Sequence, residues 1–428
     1  MRFNIFKNTV LIFVLITISC GSKTKNDVSS NDEILKQVQS DSTIVEDKTI
    51  VVGANRTELY LPLLKGKRVG IIANQTSVIF KEIDTFSTKS SKEESHKHLV
   101  DSLLLLKIDV KKVFAPEHGF RGTADAGEVV KDGIDTKTGL PIVSLYGKNK
   151  KPSIEQLNGI DIIVFDIQDV GARFYTYISS LHYVMEACAE QNIPILILDR
   201  PNPNGHYIDG PVLEPEHKSF VGMHPVPVVH GMTISEYAQM INGENWLKDG
   251  IKCELKIIPI KHYSHQKEYN LIIKPSPNLP NNKAINLYPS LCFFEGTNVS
   301  VGRGTNKQFQ IVGSPFSIMP DIDIEFIPIP NEGAKNPKHE GKFCYGYKLD
   351  NYEKLNTINL SWLIKFYRAN KQFAPNETYF KPFFTKLAGT KKLQQQIEAG
   401  MNSEGIRKSW QKDLVAFKKV RQNYLIYK

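Results

Sequence analysis

Glu117 stands between Pro116 and His118-Gly119, in the most constrained setting of any residue here that can do acid–base chemistry. Proline and glycine on either side fix a loop and disfavour a helix, so the carboxylate is held in place, as a general acid or base must be. That task needs a pKa near working pH, reached by burial or by a like-charged neighbour such as Asp166, Asp169 or Glu295. The plainer account is a loop ion pair between Glu117 and Arg121. The run 171–177 opens a helix directly after Asp169, where free N–H groups favour an anion and Arg173 would reinforce them. Tyr175 and Tyr177 offer apolar faces with a polar tip, suited to a sugar and equally suited to a core. Asp199 to Gly205 is a rigid turn whose side chains, Asn202 among them, either bind a ligand or merely close an Asx-turn. His118 and His230 become metal ligands only if Asp166 and Asp169 join them, which would make a metal-dependent hydrolase of phosphate or amide bonds. Gly302-Arg303-Gly304-Thr305 has the look of a phosphate turn, and spacing alone favours a simple tight turn. No GxGxxG, GxxxxGK[ST] or GxSxG motif is present, which leaves dinucleotide, P-loop and serine-hydrolase chemistry without support.

These residues sit at repeated positions in a βαβ pattern. Short apolar runs at 69–73, 110–114, 160–165, 193–198, 226–229 and 255–260 read as strands, and amphipathic stretches at 97–107 and 175–190 read as helices. Thr233-x-x-Glu236 reads as a capping box opening another helix. The alternation predicts an α/β fold with a mostly parallel sheet. Each of the first five strands runs into a polar cluster at its C-terminal end, beginning at Asn74, Pro116, Asp166, Asp199 and His230. In open α/β sheets ligands bind outside those ends, so five loops are expected to meet at one mouth.

The chain has 428 residues with 41% hydrophobic and 23% charged, a balance that suits a packed globular body and excludes collagen-like, wholly disordered and multi-span membrane classes. The net charge of +9 comes from scattered lysines, with no basic helix interleaved with aromatics, so no nucleic-acid partner is expected. An acidic polymer or acidic sugar suits the charge equally. Arg2 and Lys7 precede an apolar run at 9–18 that ends at Ser19-Cys20-Gly21, a segment too short to span a bilayer and shaped as a signal peptide. The cysteine after a small residue resembles a bacterial lipoprotein processing site, with Cys20 becoming the lipidated first residue; Thr17 departs from the usual leucine three positions earlier. Residues 20–47, rich in Ser, Asn, Asp and Lys, read as a flexible tether. The protein is thus expected to be exported and lipid-anchored in the cell envelope, facing the periplasm or the outside. Cys188, Cys253, Cys292 and Cys344 form no CxxC pair and read as buried free thiols.

Six ordered strings, APEHGFRG (115–122), DIQDVGARFYTY (166–177), DRPNPNG (199–205), HGMT (230–233), SPNLP (276–280) and YPSLCFFEGTNVSVGRGT (288–305), resemble the exo-β-N-acetylmuramidase family typified by NamZ. The resemblance runs from about residue 51 to the C-terminus. It implies a Rossmann-like domain followed by a smaller α/β domain, with the active-site cleft between them. It also implies a glycosidase that removes N-acetylmuramic acid from the non-reducing end of peptidoglycan fragments during cell-wall turnover, with no cofactor and no metal. Carried over by position, it makes Glu117 the catalytic carboxylate, with His118 and Arg121 beside it, and ranks Asp166 and Glu295 ahead of Asp169 for a second one. Asp169, Arg173, Tyr175, Tyr177, Asn202, His230, Asn278, Asn298 and Arg303 would line the cleft and bind substrate.

The lactyl carboxylate of N-acetylmuramic acid calls for a cation, for which Arg121, Arg173 and Arg303 are the candidates. Glycoside cleavage then needs an acid at the leaving oxygen, plus a nucleophile, a base or the substrate's own acetamido group. A shift to Pro- and Asn-rich sequence places the domain boundary between 270 and 271, giving domains at 48–270 and 271–428. A cell-wall-binding lipoprotein without catalysis is the alternative outside enzymology.

Overall fold

The computed structural model describes residues 49–81, 95–122, 128 and 131–428; the expected signal peptide, Cys20 and the tether lie outside them. Seven strands build the central sheet: β1 (Arg68–Ala73), β2 (Asp109–Ala115), β3 (Gly133–Ile134), β4 (Pro141–Ser144), β5 (Ile162–Asp166), β6 (Ile195–Leu198) and β7 (Leu255–Ile258). Their order is β7-β6-β5-β1-β2-β4-β3, and every pairing is parallel except that of β3 with β4. From β1 the chain builds outward to β2 and β4, then returns to the other side of β1 for β5. The reversal opens a crevice at the carboxyl ends of β1 and β5, where such sheets bind ligands.

Side-chain alternation with period 2 sorts the sheet into two buried faces. Val69, Ile71, Ile162, Val164, Leu196 and Leu198 join one core cluster with the helix Leu99–Leu105. Ile72, Ile163, Phe165, Ile195 and Ile197 join the other, with the helix Tyr177–Glu190. This second cluster continues without a break through Phe293, Phe294, Phe366, Phe384 and Trp410 of the C-terminal half. That half contributes the helix Asn282–Leu291, an antiparallel three-stranded sheet and the helices from Ser361 onward. The four cysteines at 188, 253, 292 and 344 are buried and free.

One strand expectation is corrected. The run at 226–229 forms no part of the central sheet: Pro227–Val229 pairs antiparallel with Asp209–Val212 in a separate ribbon. The ribbon crosses the loop after β5, where the Arg173 amide donates to the Val228 carbonyl at 2.7 Å and Ala172 bridges Val229. Local apolarity marks a strand but not its partner, and here the neighbouring 209–212 segment supplies the pairing. The short strands β3 and β4 were not anticipated. The capping box at Thr233 and Glu236 is present with both of its hydrogen bonds.

Arg173 binds the ribbon to the C-terminal half. Fully buried, it donates through Nη1 to the Pro211 and Val226 carbonyls (both 2.8 Å) and through Nη2 to those of Leu387 (2.9 Å) and Ala388 (2.8 Å). Burial without an acid partner pushes its pKa down to about 9. A lysine cannot span four carbonyls with a compact ammonium group. Arg173→Lys should therefore lower stability by about 2–4 kcal/mol, the loss of one or two charged hydrogen bonds. Urea titration would register this as a lower midpoint with an unchanged slope; an unmoved midpoint would refute it.

Candidate active site

A cavity of about 470 Å³ lies beyond the carboxyl end of β2, with one wall from the sheet domain and the other from the C-terminal half. Glu117 enters from the first wall, two residues past the end of β2. Residues 116–119 close a turn in which the Gly119 amide donates to the Pro116 carbonyl at 3.0 Å. His118 there adopts φ 73°, a strained conformation for a residue with a Cβ, of the kind kept where position matters. Thr176 Oγ1 donates to Glu117 Oε2 at 2.6 Å, and the Tyr146 hydroxyl hydrogen-bonds the same carboxylate. Tyr175 anchors its hydroxyl on the Pro275 carbonyl at 2.9 Å and turns its ring edge to Tyr177 and Tyr288.

The facing wall is charged. Arg303 Nε donates to Glu295 Oε1 at 2.9 Å, from a loop in which Gly302 and Gly304 both take φ 78°. Lys338 Nζ donates to the carbonyls of Phe294 (2.8 Å), Thr297 (2.7 Å) and Val299 (3.0 Å), and burial pushes its pKa down to about 8. Burial alone would raise Glu295, but the Arg303 and Lys338 cations hold it below the ordinary glutamate range. Asn278, 1% exposed, donates to the Gly333 carbonyl and leaves Oδ1 without a partner.

Of the residues singled out by sequence, the cavity takes in Glu117, His118, Tyr175, Asn278, Glu295 and Arg303. The others do not line it, and most have structural partners. Asp166, at the end of β5, is fully buried in a two-pronged pair with Arg200, Nε to Oδ1 at 2.6 Å and Nη2 to Oδ2 at 2.9 Å. Arg121 is held by Asp135 at 2.7 Å and Asp101 at 3.3 Å, not by Glu117, and Arg173 is the buried clamp described above. Tyr177 lies one layer back, accepting from Asn74 Nδ2 at 2.8 Å. Asn202 donates to the Met232 carbonyl and packs so tightly against Gly171, whose φ is 77°, that a Cβ there would fall 2.2 Å from Asn202 Oδ1. Asn298 donates to Asn370 Oδ1 at 2.6 Å.

Asp169 and His230 form a separate buried pair, Oδ2 to Nε2 at 4.0 Å, with Asp169 Oδ1 and His230 Nε2 both lacking a hydrogen bond. Among the described residues, Asp166, Asp169, His118 and His230 do not form a metal-ligand group, and both Asp166 oxygens are taken by Arg200. Among the described residues the one group with metal-ligand geometry is Glu214, Glu216 and His217, none of which lines the cavity.

Two family models match the chain: "Exo-beta-N-acetylmuramidase NamZ, N-terminal" over residues 69–283 and its C-terminal counterpart over 286–427. The chain belongs to the NamZ exo-β-N-acetylmuramidase family. It is 40% identical over 391 residues to the peptidoglycan β-N-acetylmuramidase NamZ of Bacillus subtilis (strain 168), an alignment covering 86% of this chain and 89% of that protein. Crystal structures of two DUF1343 family proteins from Bacteroides fragilis NCTC 9343 share the fold. One is 44% identical with a TM-score of 0.78, the other 29% identical with a TM-score of 0.72, and each comparison covers 89% of this chain and 99% of the other.

This NamZ-family cavity also contains residues that the sequence left unassigned. Thr176 lay inside the quoted 166–177 string, its hydroxyl at a helix start the available signal. Tyr146, Phe220 and Lys338 belong to no recognisable motif, and only chain folding brings them to Glu117 and Glu295.

Burial pushes the Asp169 carboxyl up to about 7 and the His230 imidazole down to about 3. An acid raised on folding keeps its proton while the unfolded chain loses one, so its contribution to stability falls as pH rises from about 4 to about 7. Asp169→Asn removes that fall, while His230 contributes the opposite slope to both proteins. The stability of Asp169→Asn relative to the wild type should thus rise across this window. Urea midpoints at a series of pH values test it, and an offset independent of pH would count against it.

Proposed function

We propose that this chain is an exo-acting glycosidase that releases N-acetylmuramic acid from the non-reducing end of peptidoglycan fragments. The observation that carries this reading is a cavity lined by both Glu117 and the cation Arg303 in a member of the NamZ family. Glu117 supplies the proton to the glycosidic oxygen as its bond to the anomeric carbon of N-acetylmuramic acid breaks, and water, losing a proton, completes the hydrolysis at that carbon. Thr176 and Tyr146 hold its carboxyl in one orientation, which keeps the acid within reach of the leaving group. Arg303 holds the lactyl carboxylate, which N-acetylglucosamine lacks, and so discriminates between the two sugars. Arg121 and Arg173 are committed elsewhere, which leaves Arg303 as the guanidinium for that task. Lys338 adds positive potential without a free donor, since its ammonium serves three carbonyls. Glu295 is the second carboxyl of the cavity, kept ionised by Arg303, and fits the role of orienting substrate or stabilising positive charge at the anomeric carbon.

The test is release of N-acetylmuramic acid from a MurNAc-GlcNAc disaccharide by the protein without residues 1–47, beside Glu117→Gln and a chelator-treated sample. The wild type should release the sugar with or without chelator, and Glu117→Gln should lose roughly a hundredfold or more of kcat. Binding without release by the wild type would make the protein a cell-wall receptor, and loss of activity in chelator would point to metal-dependent hydrolysis.

The same reading includes export by a signal peptide at 1–19 and lipidation of Cys20, with residues 20–47 holding the enzyme off the membrane. The full-length protein expressed in its native envelope should fractionate with membranes, and Cys20→Ser should move it to the soluble fraction; an unmoved distribution would remove the anchor from the proposal.

A further inference from the structure

Ser219 and Gly222 close a tight turn, each donating its amide to the other's carbonyl at 2.9 and 3.1 Å, and the two residues at its tip are Phe220 and Val221. Turn tips are ordinarily Gly, Pro, Asn, Asp or Ser, because the tip faces water and favours polar or conformationally permissive residues. Two apolar residues there break a local rule, and such breaks gather where a surface has work to do. Phe220 and Val221 are half-buried and line the cavity. The turn is anchored by Ser179 Oγ donating to the Phe220 carbonyl at 2.8 Å. Tyr183 lies nearly parallel to the Phe220 ring at 6.3 Å, and the Lys150 ammonium stands 4.7 Å from its centre.

The apolar tip is continuous with the acid. Tyr146 lies 6.0 Å from Phe220, ring centre to ring centre, and its hydroxyl bonds the Glu117 carboxylate. Phe383, 41% exposed, lines the same cavity from the first turn of the helix Phe383–Ala388, whose Lys386 carbonyl would lie 3.7 Å from a Cβ on Gly222. The cations Arg303 and Lys338 belong, like Phe383, to the wall from the C-terminal half, whereas Tyr146 and Phe220 belong to the first wall. Glu117 must stand at the scissile bond, so the sugar bearing the carboxylate lies toward Arg303. The sugar that leaves then lies on the side of Tyr146 and Phe220.

We propose that the turn at 219–222, with Tyr146 and Phe383, is the platform that binds the leaving N-acetylhexosamine through the apolar face of its ring. The assignment rests on the glycosidase reading above. It makes Phe220 a determinant of which aglycone is accepted, separate from the recognition of muramic acid by Arg303.

The experiment compares wild type with Phe220→Ala in two measurements: KM for the MurNAc-GlcNAc disaccharide, and the inhibition constant of free N-acetylmuramic acid. Phe220→Ala should raise KM roughly three- to tenfold, the range one aromatic contact supplies, while the inhibition constant stays within about twofold. Phe220→Trp should restore the wild-type KM. If Phe220→Ala does not fold, Val221→Ser gives the tip an ordinary turn residue and should shift KM in the same direction. An unchanged KM, or a KM and inhibition constant that move together, would overturn the platform. A wild type that releases nothing overturns the glycosidase reading and the platform with it, whereas an active wild type matched by both variants sinks the platform alone.

Discussion

Arg173 is a cation buried without an acid, and the two halves of the molecule are registered through it. Four backbone carbonyls share its guanidinium, two from the segments 209–212 and 226–229 and two from the last turn of the helix Phe383–Ala388. A helix C-terminus is an appropriate partner, because its unsatisfied carbonyls carry partial negative charge. Leu387, one of the bonded residues, also lines the cavity, as does Phe174 beside Arg173 itself. The walls of the site are therefore held to one another by the same bonds that satisfy the buried charge. Removing water from such a group is costly, and the fold tolerates it because the carbonyl geometry is complete on both terminal nitrogens.

The polar residues at the strand ends divide into two layers for a related reason. Deep in the crevice, charged groups are held by bonds within the protein. Asp166 takes Arg200, while Asp199 accepts from Thr233, Ser235 and Tyr427 and so ties a helix start and the C-terminus to β6. Asp166 and Asp199 are fully buried, and neither lines the cavity. Above them, in the cavity, stand Glu117 and Glu295. Glu117 accepts hydrogen bonds from the Thr176 and Tyr146 hydroxyls, which orient its carboxylate. Glu295, paired with Arg303 and near Lys338, stays charged. The two carboxyls of the cavity thus have different surroundings, hydroxyl groups at Glu117 and cations at Glu295.

Much of this is legible in the sequence. Strand positions, the capping box at Thr233 and the carboxyl-end placement of Glu117 follow from periodicity and turn chemistry, which act over a few residues. The family was legible from six ordered strings. The sorting of their polar residues was not: Asp166 and Glu295 looked equivalent as acids, Arg121, Arg173 and Arg303 as cations. Tyr146 and Phe220 gave no signal, since each meets the site only after the chain has folded back on it.

The sequence by itself determined the βαβ alternation, the family and the loops from which the chemistry must come, because those depend on local pattern and on residues close together in the chain. Tertiary structure alone decided that 227–229 pairs with 209–212, that Asp166 belongs to Arg200, and that Arg303 is the guanidinium left facing Glu117's cavity. The physical reason is that whether a charge serves structure or substrate depends on what neutralises it and on how much water remains around it. Both are properties of contacts between segments as far apart as residues 173 and 388, and no spacing along the chain encodes them.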